Sequence, residues 1–191
     1  MWNSRDLALA IILAVTGFIY TLIVFQLGFL ITGIPGSNYL FLIGQVIWIT
    51  LAFLLFNGNR WRLTLSITIF GILTLPTAAM GVPYNILPRI PLILNALQSD
   101  IIMNTFYQSF KKSKRMIWFI LIFAVEHFLV DGLLRIITYP YFYSIEYQSV
   151  FLGVFTLMLP VIIIESILGA YIAYQIYLRI TKPSTSTNQT K

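Results

Sequence analysis

Hydrophobic residues are concentrated in six stretches of the chain, separated by short segments rich in polar residues, proline and glycine. The stretches cover about residues 6–32, 38–56, 63–80, 91–110, 116–137 and 151–179. Each comes near the ~20 predominantly apolar residues that a helix needs to cross a bilayer. The pattern therefore predicts an all-α membrane protein with six transmembrane helices.

Two of these stretches need closer reading. The first is longer than the ~7–15 residues of a signal-peptide core, so we expect a retained helix that ends at Gly33, Pro35 and Gly36. The fourth is too polar to face lipid on all sides and could instead be an interfacial helix, which would leave five spans. Its polar residues are Asn95, Gln98, Ser99, Asp100, Asn104, Thr105 and Gln108.

The distribution of basic residues favours six spans over five. With six spans, ten of the twelve lysines and arginines lie on one side. These ten are Arg5, Arg60, Arg62, Lys111, Lys112, Lys114, Arg115, Arg179, Lys182 and Lys191. Because short loops rich in Lys and Arg stay cytoplasmic, both termini are expected inside, with Arg89 and Arg135 as the two exceptions outside.

Composition supports a multi-pass protein of the cell membrane. The 191 residues are 59% hydrophobic and 9% charged, with a mean hydropathy of +0.87, which excludes a soluble domain. We expect one membrane domain over residues 1–180 and a disordered cytoplasmic tail over 181–191. The net charge of +6 serves orientation and contact with lipid headgroups, so no nucleic-acid partner is expected.

Several chemistries have no residues to support them. The chain has no cysteine and one histidine, which excludes disulfides, thiolate catalysis and two-histidine zinc sites. No P-loop sequence is present, so the chain does not hydrolyse ATP in that way. We expect no metal and no cofactor.

Ionisable residues inside predicted spans are the leading functional candidates, because each is costly in lipid. His127, Asp131 and Arg135 are spaced i, i+4, i+8 and share one face of the fifth helix. They form either a structural ion pair with a bonded histidine, or a ligand-contacting stripe. Glu126 points roughly 100° away from His127, and Glu165 on the sixth helix is a possible partner.

Other polar and aromatic groups have two readings as well. Asn95, Gln98 and Ser99 lie in the outer half of the fourth helix, where amides either contact a ligand or join helices. Trp48 lies at similar depth. The tyrosines of the segment from Tyr139 to Ser149 form either an interfacial belt or a lid that stacks on a ring-shaped solute.

The first helix carries a strip of small residues, Ala10, Ala14 and Gly17, that allows close helix approach. Five features of the chain are combined here: this strip, the chain length, six spans, cytoplasmic termini and a polar fourth helix behind a proline-containing loop. In these features the chain resembles the substrate-binding S components of energy-coupling factor (ECF) transporters. The resemblance covers about residues 5–180. It implies a vitamin-uptake protein, not an enzyme, that binds a vitamin-sized solute and works with a membrane scaffold subunit and cytoplasmic ATPases.

The resemblance also implies roles for individual positions. Ala10, Ala14 and Gly17 would contact the scaffold subunit, and the loop from Ile31 to Tyr39 would act as a gate. The expected substrate-binding residues are Asn95, Gln98, His127, Asp131, Arg135, Tyr143, Arg89, Glu126 and Trp48. Acidic side chains among aromatic rings would suit a cationic heteroaromatic solute of thiamine type.

Two alternatives use the same buried residues. Glu126, His127 and Glu165 could serve acid–base chemistry in a small intramembrane enzyme, although such families need more than one histidine. The same groups could also serve a stand-alone proton-coupled carrier, although no internal repeat is evident.

Overall fold

The computed structural model describes residues 3–80 and 82–181, apart from the side chain of Phe25. Every regular element within these residues is helical, which confirms the predicted all-α class. The α-helices are α1 Ser4–Tyr20, α2 Leu27–Thr32, α3 Ile43–Leu55, α4 Arg62–Thr74, α5 Ile90–Lys112, α6 Met116–Thr138 and α7 Ile145–Thr181. A π-helical turn, Thr21–Phe25, joins α1 to α2, and 3₁₀ turns form at Ser37–Phe41, Leu87–Arg89 and Tyr139–Tyr141.

Among the described residues, three helical segments are long and apolar enough to cross a membrane, namely Ser4–Thr32, Met116–Tyr141 and Ile145–Thr181. α3 and α4 are apolar but have 13 residues each, so each is about 20 Å long against a hydrocarbon thickness of about 30 Å. α5 has 23 residues but carries the polar side chains noted above. The predicted tail lies outside the described residues from position 182 onward.

Two helix boundaries differ from the predicted ones for local reasons. α4 ends at Thr74 rather than near residue 80, because Pro76 cannot continue a helix. α7 begins at Ile145, six residues before the predicted start. The hydroxyl of Ser144 accepts a hydrogen bond from the Tyr147 amide at 3.3 Å, which caps the new helix start. Half of the expected tyrosine loop is therefore helical.

The helices pack in a closed ring in the order α1, α4, α5, α6, α7 and α3, with α3 returning to α1. Two carboxylates, the buried Asp100 and the partly buried Glu165, hold the starts of the two short helices. Asp100 accepts from the amide and hydroxyl of Thr64 at 2.8 and 2.6 Å, and Glu165 accepts from the Ile43 amide at 2.9 Å. Both satisfy backbone donors that have no partner within their own helix.

One end of the ring carries most of the basic residues and is called the basic end here. The Asp6 carboxylate pairs with Arg62 at 2.9 Å, and the hydroxyls of Tyr107 and Tyr177 both donate to the Asn57 side-chain oxygen at 3.2 Å. These bonds join the starts of α1 and α4 and the ends of α3, α5 and α7. The described basic residues at this end are Arg5, Arg60, Arg62, Lys111, Lys112, Lys114, Arg115 and Arg179.

The small-residue strip of α1, which was expected to meet a partner subunit, is buried within the chain itself. Ala10 and Ala14 have no exposed surface, and the Ala10 carbonyl accepts a bond from the Ser66 hydroxyl at 3.1 Å. A Cβ at Gly17 would lie 2.5 Å from the indole of Trp48. The small side chains therefore allow α1 to approach α3 and α4.

Candidate functional site

A cavity of about 320 Å³ lies at the end of the ring opposite the basic end. It lies against the first two turns of α3 and the last two turns of α4, which are the two short helices. The connecting segments cover this space, with Gly36, Asn38, Met80 and Pro83 in the wall. A volume of this size is at the lower end of the ~300–1,000 Å³ typical of small-molecule sites.

The π-helical turn ends directly at the cavity. Gln26, the first residue after the turn, lies in the wall, and π-helical turns occur frequently at functional sites. Gln45 of α3 is also in the wall and donates to the Thr21 hydroxyl at 3.1 Å. The turn is thus bonded to the side of the cavity.

Asp131 and Arg135 form a buried ion pair in the cavity wall. Arg135 Nε donates to Asp131 Oδ2 at 2.8 Å and Nη2 donates to Oδ1 at 3.2 Å. A third bond runs from Nη1 to the Tyr139 hydroxyl at 3.1 Å. The ion pair that was one of the two alternatives from the sequence is present and lies in the cavity wall, while contact with a ligand stays a prediction.

His127, one turn below, also lines the cavity but is bonded on both ring nitrogens. Nδ1 lies 2.6 Å from the Ser99 hydroxyl and Nε2 lies 3.2 Å from the Asn95 amide nitrogen. Since an amide nitrogen only donates, Nε2 accepts and the proton resides on Nδ1, which donates to Ser99. His127 therefore presents its ring to the cavity, with Asn95 and Ser99 holding it from behind.

Glu126 and Gln98 lie outside the wall and bond to each other across α5 and α6. Glu165 is bonded to the start of α3. Glu126, His127 and Glu165, the trio proposed for acid–base chemistry, thus each have a different partner, and no hydrogen bond joins any two of them within the described chain.

Arg89 is fully buried and does not line the cavity. Its guanidinium donates to five backbone carbonyls of the α4–α5 connection, at 2.6 to 3.1 Å. The acceptors are the carbonyls of Thr74, Thr77, Ala79, Val82 and Asn85. Burial lowers the pKa of this guanidinium from its usual value. Arg89 therefore positions the connection that carries Met80, Val82 and Pro83 into the wall.

Aromatic rings form much of the remaining wall. The rings of Tyr143 and Tyr147 stack with centroids 4.5 Å apart, and Tyr139 meets Tyr143 at 4.9 Å. Burial, together with the neighbouring Tyr139, raises the pKa of the Tyr143 phenol, so this hydroxyl is a neutral donor. The aromatic residues of the wall are Phe29, Tyr39, Trp48, Phe70, Phe128, Tyr139, Tyr143, Tyr147 and Phe151.

Of the nine residues expected to bind solute, the structure brings five to the wall. These five are Trp48, His127, Asp131, Arg135 and Tyr143. The wall also contains Gln26, Asn38, Tyr39, Tyr139 and Tyr147, which were not among those nine. Asn38 and Tyr39 belong to the loop expected to act as a gate, and Tyr139 and Tyr147 belong to the segment that the sequence left as either an interfacial belt or a lid.

Comparison with protein-family models, curated proteins and solved structures found no match. Within residues 3–80 and 82–181, no group of three histidine or carboxylate side chains lies close enough to hold a metal ion. The wall residues described above offer hydrogen bonding, ion pairing and ring stacking.

Proposed function

We propose that this chain crosses the cell membrane six times, with both termini in the cytoplasm, and that the cavity binds a small solute from the outer side. The observation that carries this proposal is the cavity itself. It combines an ion pair, a bonded histidine and stacked aromatic rings at the end of the ring that lies away from the basic residues. Such a concave wall with few converging polar groups is typical of ligand sites.

Charge supports the orientation. The basic end meets the expectation for cytoplasmic loops, and the two exceptions at the other end have local partners. Arg89 is surrounded by backbone carbonyls, and Arg135 is paired with Asp131. Neither is a free charge of the kind that would oppose this orientation.

The proposed role in transport, and the source of its energy, follow from the sequence resemblance. The chain would act as the solute-binding S component of an ECF-type importer, with a scaffold subunit and ATPases supplying the energy that a chain without a P-loop does not supply. Because Ala10 and Ala14 are buried, the scaffold would meet another face. The separate partners of Glu126, His127 and Glu165 favour binding over acid–base catalysis.

A comparison of retained solutes tests this function. The wild-type chain is purified into lipid nanodiscs, unfolded, and the released small molecules are identified by mass spectrometry. Leu92→Trp fills the cavity, because Leu92 is a buried residue of its wall. Leu94→Trp is the matched control, since Leu94 is 44% exposed two residues along the same helix.

The expected result is a solute retained by the wild type and by Leu94→Trp but lost from Leu92→Trp. Retention that is equal in all three, or absent from all three, would contradict a binding role for the cavity. Co-purification of an ATPase pair with the native protein would then test the importer assignment separately.

A further inference from the structure

We infer that the cavity selects a neutral, flat aromatic solute rich in hydrogen-bond acceptors, rather than a cation. This inference rests on the proposed function and narrows its substrate class. It departs from the thiamine-type cation that the acidic and aromatic residues suggest when they are read from the sequence alone.

The charge of the wall is the first reason. Asp131 and Arg135 are its only ionised side chains within the described chain, and their charges cancel. The carboxylate accepts two bonds from the guanidinium. A cation beside Asp131 would therefore also lie beside Arg135, and the repulsion offsets the attraction that a lone carboxylate would supply.

The balance of donors and acceptors is the second reason. A guanidinium has five N–H donors, and three of those of Arg135 are used within the chain. Tyr143 and Tyr147 line the cavity, and neither hydroxyl has a hydrogen-bond partner among the described residues. Asn38 accepts from the Phe29 amide at 2.8 Å through its oxygen, which leaves its amide hydrogens to donate.

Two of the acceptors in the wall are already used within the chain. The Asp131 oxygens already receive Arg135, and the acceptor nitrogen of His127 already receives Asn95. Half-buried phenols usually find a partner. Ring carbonyls or ring nitrogens of a bound solute would provide it.

Ring geometry and size give the third reason. The side chains of Tyr39, Trp48, Phe128 and Phe151 line the same space, and aromatic pairs prefer centroid separations of about 4.5–7 Å. At about 30 Å³ for each water, the volume of about 320 Å³ corresponds to roughly ten water molecules. A system of two or three fused rings fits this space.

Two probes of similar ring size test the inference. Lumichrome is a neutral three-ring heterocycle with ring carbonyls and nitrogens, and N-methylacridinium is a three-ring cation without free acceptors. Both are titrated by fluorescence against the protein in nanodiscs, and the signal with Leu92→Trp is subtracted as lipid background. We expect lumichrome to bind at least ~10-fold more tightly.

Hydroxyl removal provides the second measurement. The double variant Tyr143→Phe/Tyr147→Phe keeps both rings and should weaken lumichrome binding by about 5- to 100-fold, as expected for two lost hydrogen bonds. Tyr171→Phe is the control, because Tyr171 is 50% exposed on α7 away from the cavity. Unchanged affinity in the double variant would overturn the donor assignment.

The outcomes separate this inference from the proposed function. Tighter binding of N-methylacridinium, lost in Leu92→Trp, would overturn the inference and leave the function standing. If neither probe binds, the solute that mass spectrometry identifies in the wild-type protein decides between the two solute classes. A neutral acceptor-rich ring supports the inference, and a cation overturns it. If neither probe binds and no solute is retained, both proposals fail.

Discussion

The guanidinium of Arg135 meets the carboxylate of Asp131 through two hydrogen bonds, 2.8 and 3.2 Å long, one helical turn apart on α6. Their side chains are 8% and 10% exposed. Because each charge is compensated mainly by the other, the pair behaves as a unit. Removing one member leaves the other buried without its partner.

The variants Asp131→Asn and Arg135→Gln should therefore each lose about 3–5 kcal/mol of unfolding free energy. The double variant should lose less than the sum of the two, because it contains no unpaired charge. Unfolding in mixed detergent micelles measures all three values. Strictly additive losses would show that the two residues do not stabilise each other.

Lysine should not be able to replace Arg89 without a loss of stability. Lysine keeps the charge but has three donors on a single nitrogen, so it cannot serve the five carbonyls that Arg89 reaches. Each buried carbonyl left without a donor costs about 1–3 kcal/mol. We expect Arg89→Lys to lower stability by at least ~2 kcal/mol and to expose the α4–α5 connection to protease.

Arg179→Lys is the matched control for this prediction, because Arg179 is exposed at the end of α7. It should leave stability and protease resistance unchanged. Equal effects of the two substitutions would mean that the carbonyl contacts of Arg89 contribute little.

Replacing Gly17 by alanine, which adds one methyl group, should destabilise the protein. Its added Cβ would lie 2.5 Å from the Trp48 indole, so Gly17→Ala should cost about 1–3 kcal/mol through overpacking and displace a ring of the cavity wall. Gly71→Ala is the control, since its Cβ would meet no atom within 4 Å. This control should be neutral or gain up to ~1 kcal/mol. Thermal unfolding checks both, and a tolerated Gly17→Ala would contradict the packing.

Ser99 should matter through the histidine it contacts. Ser99→Ala leaves the Nδ1–H of His127 without a partner, at a cost of about 1–3 kcal/mol. Ser166→Ala is the control, because the buried Ser166 hydroxyl has no partner within the described chain, and it should be neutral or stabilising. Unfolding experiments measure both losses of free energy. A larger loss in Ser166→Ala than in Ser99→Ala would contradict the hydrogen bonds assigned to His127.

Residues on one helix could be placed from the sequence, and residues joined by the tertiary fold could not. The spacing of His127, Asp131 and Arg135 fixes a common face, because helix geometry is local, and the structure places all three in one wall. Helix existence was likewise predictable from hydrophobicity. The number of spans is still a prediction, because the lengths of α3 and α4 do not decide it.

The partners of isolated residues required the fold. Arg89 faces carbonyls up to 15 positions away, and Glu165 reaches an amide 122 positions away. No periodicity encodes such contacts. The strip at Ala10 and Ala14 allows close packing on any neighbour, so the sequence could not distinguish a partner subunit from α4 of the same chain.

Cysteine labelling in intact cells tests most directly whether the cavity opens on the outer face. The chain has no cysteine, so single substitutions report one position each. Ala78 is exposed at the cavity wall, and Ser113 is exposed in the basic turn between α5 and α6. A membrane-impermeant maleimide should label Ala78→Cys in intact cells and Ser113→Cys only after permeabilisation. The opposite pattern would contradict the proposed orientation and, with it, solute capture from outside.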